Sequence, residues 1–149
     1  MQTVLLSMGN DQRRDDGIAS ALCAKLPDSI MRRLEYRNLG VFGHDLATYI
    51  EDANRVIIVD AVLEPSRIGE LFVLDQLDFT YTWPTESHGL SWLSALKLMP
   101  HHPPVLFVGV AVSDLGWGTG FSPKVQEQFE HLTQGLARIC ERVLEVSYA

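Results

Sequence analysis

Two carboxylates and an imidazole stand at positions where a folded chain can gather them. Asp15-Asp16-Gly17 follow the first apolar run, Asp60 closes the run Val56-Ile57-Ile58-Val59, and His88 opens a Leu-bearing segment. Oxygen and imidazole donors together suit a borderline divalent cation such as nickel, zinc, manganese or cobalt. Taken singly, each residue has an ordinary structural role. An Asp at a helix start caps it, an Asp ending a buried strand binds loop amides, and a lone His at a helix start is a polar surface residue. Only their conjunction points to a site.

The elements that must position them follow from periodicity. Val4 to Met8 is an apolar strand stopped by Gly9-Asn10. Ile18, Leu22 and Leu26 share one helix face, with Asp15 or Asp16 placed as its cap and Pro27 after its end. Met31 to Arg37 reads as a more polar edge strand, and Phe42 to Ile50 as a short helix. The four β-branched residues Val56 to Val59 form a strand covered on both faces, ending at Asp60. Gly69 to Leu74 is a further strand. Phe79, Tyr81 and Trp83 alternate with threonines as an extended, half-exposed segment. Ser87 or His88 opens a helix carrying Leu90, Leu93, Leu96 and Met99, ended by Pro100. Val105 to Val112 is the last strand, and a loop of Gly116, Gly118 and Gly120 around Trp117 follows it. Ser122-Pro123 then starts a long amphipathic helix, Ser at the N-cap and Pro at N1.

Strands and helices thus alternate. The expected fold is a three-layer α/β/α domain over residues 1–149, with a mostly parallel twisted sheet of about five strands and helices on both faces. In such a sheet, function gathers beyond the carboxyl ends of the strands. Asp16, Asp60 and His88 all fall at that rim, and His44 stands in a loop able to approach it.

Composition narrows the partners. The chain has 149 residues, 46% hydrophobic and 21% charged, which excludes a disordered chain or a coiled coil. Twelve basic against 19 acidic residues give a net charge of −7. That balance disfavours nucleic acid and anionic membrane surfaces. No apolar run approaches the ~18 residues of a membrane span, and the start lacks a secretory pattern, so the expected compartment is the cytoplasm. Cys23 and Cys140 lack metal-ligand spacing and read as buried apolar residues of two helices. There is no P-loop, no G-x-G-x-x-G and no H-E-x-x-H, and Gly89-Leu90-Ser91-Trp92-Leu93 lacks the closing Gly of a nucleophile elbow.

Four ordered blocks resemble the hydrogenase maturation endopeptidases. They are Leu5-Leu6-Ser7-Met8-Gly9-Asn10 with Asp15-Asp16-Gly17-Ile18; Val56-Ile57-Ile58-Val59-Asp60-Ala61; Ser87-His88-Gly89-Leu90; and Phe107-Val108-Gly109-Val110 with Phe121-Ser122-Pro123. The resemblance implies an endopeptidase that trims a C-terminal extension from the precursor of a nickel–iron hydrogenase large subunit, after nickel insertion. It maps the metal-binding residues onto Asp16, Asp60 and His88. The nickel it implies is the substrate's own, contacted during recognition. Asp16 and Asp60 would also carry catalysis, either as general base on water or beside a metal-polarised carbonyl or metal-activated water. The chain departs from the family pattern at Ser7 and Ala19, where Gly is common, and at Ala111-Val112-Ser113-Asp114. These changes bear on loop shape and docking rather than on ligands.

Two other readings share the architecture. A receiver-like switch module also has an acidic pair and an Asp at a strand end, but it needs a Lys at the end of its last strand. Val105 to Val112 has none, and the next is Lys124. A non-proteolytic, metal-dependent chaperone on the same fold is the other.

Overall fold

The computed structural model describes residues 2–75 and 91–146. The five strands are β1 (Thr3–Met8), β2 (Leu34–Gly40), β3 (Arg55–Leu63), β4 (Leu71–Leu74) and β5 (Val105–Val112). They form one sheet in the order β2-β1-β3-β5-β4. The pairs β1–β2, β1–β3 and β3–β5 are parallel, and β4 runs antiparallel to β5. The α-helices are α1 (Ile18–Cys23), α2 (Asp28–Met31), α3 (Leu46–Ile50), α4 (Ser91–Leu98) and α5 (Pro123–Glu145). The doubly wound α/β architecture expected from the sequence is the one observed.

The pleat of the central strands sorts the core into two layers. Successive side chains point to opposite faces. Leu5, Ile57, Val59 and Ala61 pack under α1, α2 and α5, with Leu22, Ile30, Leu132 and Leu136. Val4, Leu6, Val56, Ile58 and Val62 face α3 and α4, with Leu46, Ile50, Trp92 and Leu96. β1 and β3 are therefore buried on both sides, which explains their unbroken apolar runs. Cys23 and Cys140 are free, buried and in the same layer, as their composition suggested. Burial, with Glu141's charge a lesser cause, pushes the Cys140 thiol up to about 12, and burial likewise raises that of Cys23. Among the described residues, no helix is long and apolar enough to cross a membrane.

Several boundaries shift from the sequence reading. Met31 ends the short helix α2 rather than opening β2, which starts at Leu34. β3 does not end at Asp60. Ala61, Val62 and Leu63 continue it because they pair with Val110, Ala111 and Val112 of β5. Phe79, Tyr81 and Trp83 lie outside the described residues, as do Ser87 and His88.

Ile57 is fully buried at the sheet's centre, between β1 and β5. Ile57→Ala is expected to lower stability by about 2–5 kcal/mol, the usual cost of such a cavity. Urea unfolding should show a lower midpoint with an unchanged slope.

Candidate functional site

The rim beyond β1 is built by a tight turn. After Met8 the chain passes Gly9 and Asn10 and enters a single 3-10 turn, Arg14–Gly17, that leads into α1. Gly9 takes φ +128°, and a Cβ there would fall 1.9 Å from the Asp16 carbonyl oxygen. Only glycine permits that approach. Arg14 is held at φ +46°, the only non-glycine with positive φ among the described residues.

The two adjacent aspartates point into different surroundings. Neither caps α1 as their position suggested, for Gly17 occupies the N-cap and makes no side-chain hydrogen bond. The Asp15 side chain instead crosses to the far loop and is completely buried. Its Oδ2 accepts from the amides of Ser113 (3.2 Å) and Asp114 (3.0 Å) and from the Ser122 hydroxyl (2.8 Å). Its Oδ1 accepts from the Ser122 amide at 2.7 Å. Ser122 is the N-cap residue of α5, but its hydroxyl serves Asp15 rather than the helix amides. The positive end of the α5 dipole also faces this carboxylate. The backbone reinforces the tie: Asp15 N–H donates to Asp114 O, and Arg14 N–H to Gly118 O, each at 3.0 Å.

Asp16 is half-buried, and its Oδ2 accepts from the Asn10 amide at 2.8 Å. Asp60 sits inside β3, paired in register with Gly109, and faces the α3–α4 layer by the alternation of the strand. Only 3% of it is exposed. Its Oδ1 accepts from the following amide, Ala61 N–H, at 2.8 Å, and its Oδ2 from the Trp92 indole N–H at 3.3 Å. Trp92 is buried and stacked on Phe107 at 5.1 Å. Burial pushes the Asp60 carboxyl well above its ordinary range, and the nearby charge of Asp16 pushes it further; the hydrogen bonds from Trp92 and Ala61 only partly offset this.

Asp16 and Asp60 therefore come within electrostatic reach of each other, although the latter is an in-strand residue and not a loop residue. His88 lies outside the described residues. His44 stands on the 3-10 turn Gly43–Asp45, exposed, 3.5 Å from Asp45 and edge-on to Phe42. Among the described residues, no three His, Cys, Asp or Glu side chains are grouped to hold a metal ion. Sequence reasoning did not single out Trp92. The available signal was its place in the sequence, four residues after His88 in the same Leu-bearing segment.

A family model described as hydrogenase maturation protease matches residues 28–139, a stretch that includes Asp60 and His88. No curated protein sequence matches the chain. Among solved structures, the hydrogenase maturating endopeptidase HybD from E. coli is similar at 26% identity and a TM-score of 0.72, over 95% of this chain and 94% of that one. The [NiFe] hydrogenase maturation protease HybD from Thermococcus kodakarensis shares the fold at 19% identity and a TM-score of 0.76, over 97% and 100% of the two chains.

Two outcomes follow from the aspartates. Asp15→Ala strands the donors of Ser113, Asp114 and Ser122 and should cost about 3 kcal/mol, lowering the melting temperature by roughly 6–12 °C. Asp16→Ala should cost far less in the same melt. An Asp60 carboxyl raised above 3.8 binds its proton more readily folded than unfolded. Its contribution therefore favours the fold at low pH and is lost as pH rises through the folded value. In chelator-treated protein, Asp60→Asn should gain melting temperature over the parent from pH 4 to pH 8. A difference that stays constant with pH would contradict this.

Proposed function

This chain belongs to the hydrogenase maturation protease family, and from that premise we propose that it removes a C-terminal extension from the nickel-loaded precursor of a nickel–iron hydrogenase large subunit. It is a hydrolase acting on a peptide bond. The nickel is part of the substrate, and Asp16, Asp60 and His88 are the residues proposed to meet it.

The observation that carries this reading is a carboxylate buried inside the sheet, Asp60, with a second, Asp16, within electrostatic reach. Asp60 is buried with hydrogen bonds from Ala61 and Trp92; burial first, and then the charge of Asp16, raise its proton affinity. A divalent ion brought by the substrate reverses that balance, since an adjacent positive charge favours both carboxylates in their ionised form. Docking then depends on metal loading, and an empty precursor gains nothing from the pair. Specificity of this kind is a difference between two affinities, one of them penalised by uncompensated charge.

The same environment suits cleavage. With the cation in place the Asp60 carboxylate is ionised, and it would take a proton from the attacking water as general base. Trp92 holds the Oδ2 of Asp60, which fixes the carboxylate's rotation about its χ2 bond. Asp16 is held through its Oδ2 by the Asn10 amide. The reaction takes place in the cytoplasm in this proposal, where the precursor is assembled.

Purified protein incubated with the precursor, with and without nickel, tests this by the mass of the large subunit. Cleavage is expected only with nickel. Asp16→Asn, Asp60→Asn and His88→Ala should each slow it by about 10²-fold or more while keeping the fold by circular dichroism. Equal cleavage of metal-free precursor would overturn the recognition step, and no cleavage under any metal condition would favour the chaperone reading.

A further inference from the structure

The acidic chain carries a cationic groove away from the aspartate rim. His131, Gly135, Arg138 and Arg142 follow one another along α5 at steps of four, three and four, which places them on one helix face. Facing them are Arg67 and Leu71, at and just before the start of β4. Together they line a groove of about 490 Å³. Its floor is apolar and closely fitted: a Cβ on Gly135 would lie 2.9 Å from Leu71 Cδ1, so the strand packs directly against the helix backbone.

The walls are positively charged, and among the described residues that charge is largely uncommitted. Among the described residues Glu70 is the only carboxylate lining the groove, and Arg67 already holds it at 2.5 Å. The Arg67 guanidinium is also fixed over the Phe72 ring at 4.4 Å. Arg138 and Arg142 are exposed, and among the described residues neither has a carboxylate within ion-pair distance, although Glu141 and Glu145 share their helix. Three guanidinium groups and an imidazole are thus concentrated in a molecule of net charge −7. The groove belongs to the α5 layer, where Leu71 packs, whereas Asp60 faces the opposite layer. The sheet separates the two.

We propose that this groove docks an acidic, extended segment of a protein partner, as a site separate from the cleaving rim. The spacing favours a peptide. Arg138 and Arg142 rise ~6 Å apart along the helix axis, and carboxylates at alternate positions of an extended chain recur every ~6.6 Å. Each guanidinium fork can grip a carboxylate in two-point fashion, while a small apolar residue between them meets Leu71. A nucleic-acid strand would need a longer cationic track than three arginines in an acidic protein provide.

Fluorescence anisotropy of a labelled decapeptide of alternating Glu and Ala tests the proposal on the full chain. Binding is expected, weakening as salt rises and absent for the matching Gln-Ala peptide. Arg138→Glu with Arg142→Glu should reduce affinity by about tenfold or more, and Arg138→Gln with Arg142→Gln by less. Asp16→Asn should leave it unchanged. Circular dichroism checks α5 in each variant, and if the double Glu variant unfolds, the double Gln variant decides. Equal binding of the Gln-Ala peptide, no loss in a folded arginine variant, or tighter binding of a ten-nucleotide single strand through the same arginines would overturn it.

Discussion

The buried carboxylate of Asp15 ties together parts of the chain that are about a hundred residues apart, and the rim depends on it. It takes the amides of Ser113, Asp114 and Ser122 and the Ser122 hydroxyl, so it joins the turn after β1 to the loop after β5 and to the first residue of α5. An anion at zero exposure is tolerated because these donors and a helix N-terminus replace water. No counter-ion is needed. The loop segment Ala111-Val112-Ser113-Asp114, where the chain departs from its family's usual pattern, supplies two of those donors.

Fixing Asp15 inward determines where Asp16 can go. The two are consecutive in one short 3-10 turn, so their side chains cannot share an environment. The turn is tight enough to hold Arg14 in the left-handed region, a strain of order 1–3 kcal/mol that the surrounding hydrogen bonds must outweigh. Gly9 closes the other side, its bare Cα set against the Asp16 carbonyl. The Asn10 amide then takes one Asp16 oxygen. Ser7, the other departure near this turn, is fully buried and uses its hydroxyl on Tyr36 and on Asn38 Oδ1, tying β1 to β2 just below the rim.

Periodicity made the architecture legible. The run Val56 to Val59 announced a doubly covered strand, the 125–143 stripe announced α5, and Ser122-Pro123 marked its first turn. The errors share a physical origin. Sequence sees local partners, and the decisive partners here are distant. Asp15 resembles a cap because capping is the commonest use of an Asp before a helix, yet its donors are 98 to 107 residues away. Asp60 resembles a strand end because a charge normally stops an apolar run. The strand continues because β5 supplies pairs as far as Leu63, and Trp92 supplies the donor that makes a buried carboxylate bearable. Nothing local encodes that indole. The cationic groove was equally hidden, because its helix stripe gains meaning only beside Arg67 and β4.

Asp15 and Asp60 are the informative comparison, since both are almost completely buried but in different surroundings. Asp15 has the donors of Ser113, Asp114 and Ser122 and the favourable end of a helix dipole. Asp60 has two, one of them long at 3.3 Å, and a like charge beside it. A scaffold gains nothing from the second arrangement, for an Asn or a Ser at that strand position would pack without the penalty. Strongly perturbed carboxylates gather where charge must change during function, and this one stands inside β3, one residue past the last β1–β3 pair, Ser7–Val59. The stability that Asp60 forgoes is supplied a short distance away by Asp15, which holds the turn regardless of what the rim is doing. With the turn held by Asp15 whatever the state of the rim, the chain can keep Asp16 near the buried Asp60; under the proposed function, a cation carried by the substrate would relieve that pair.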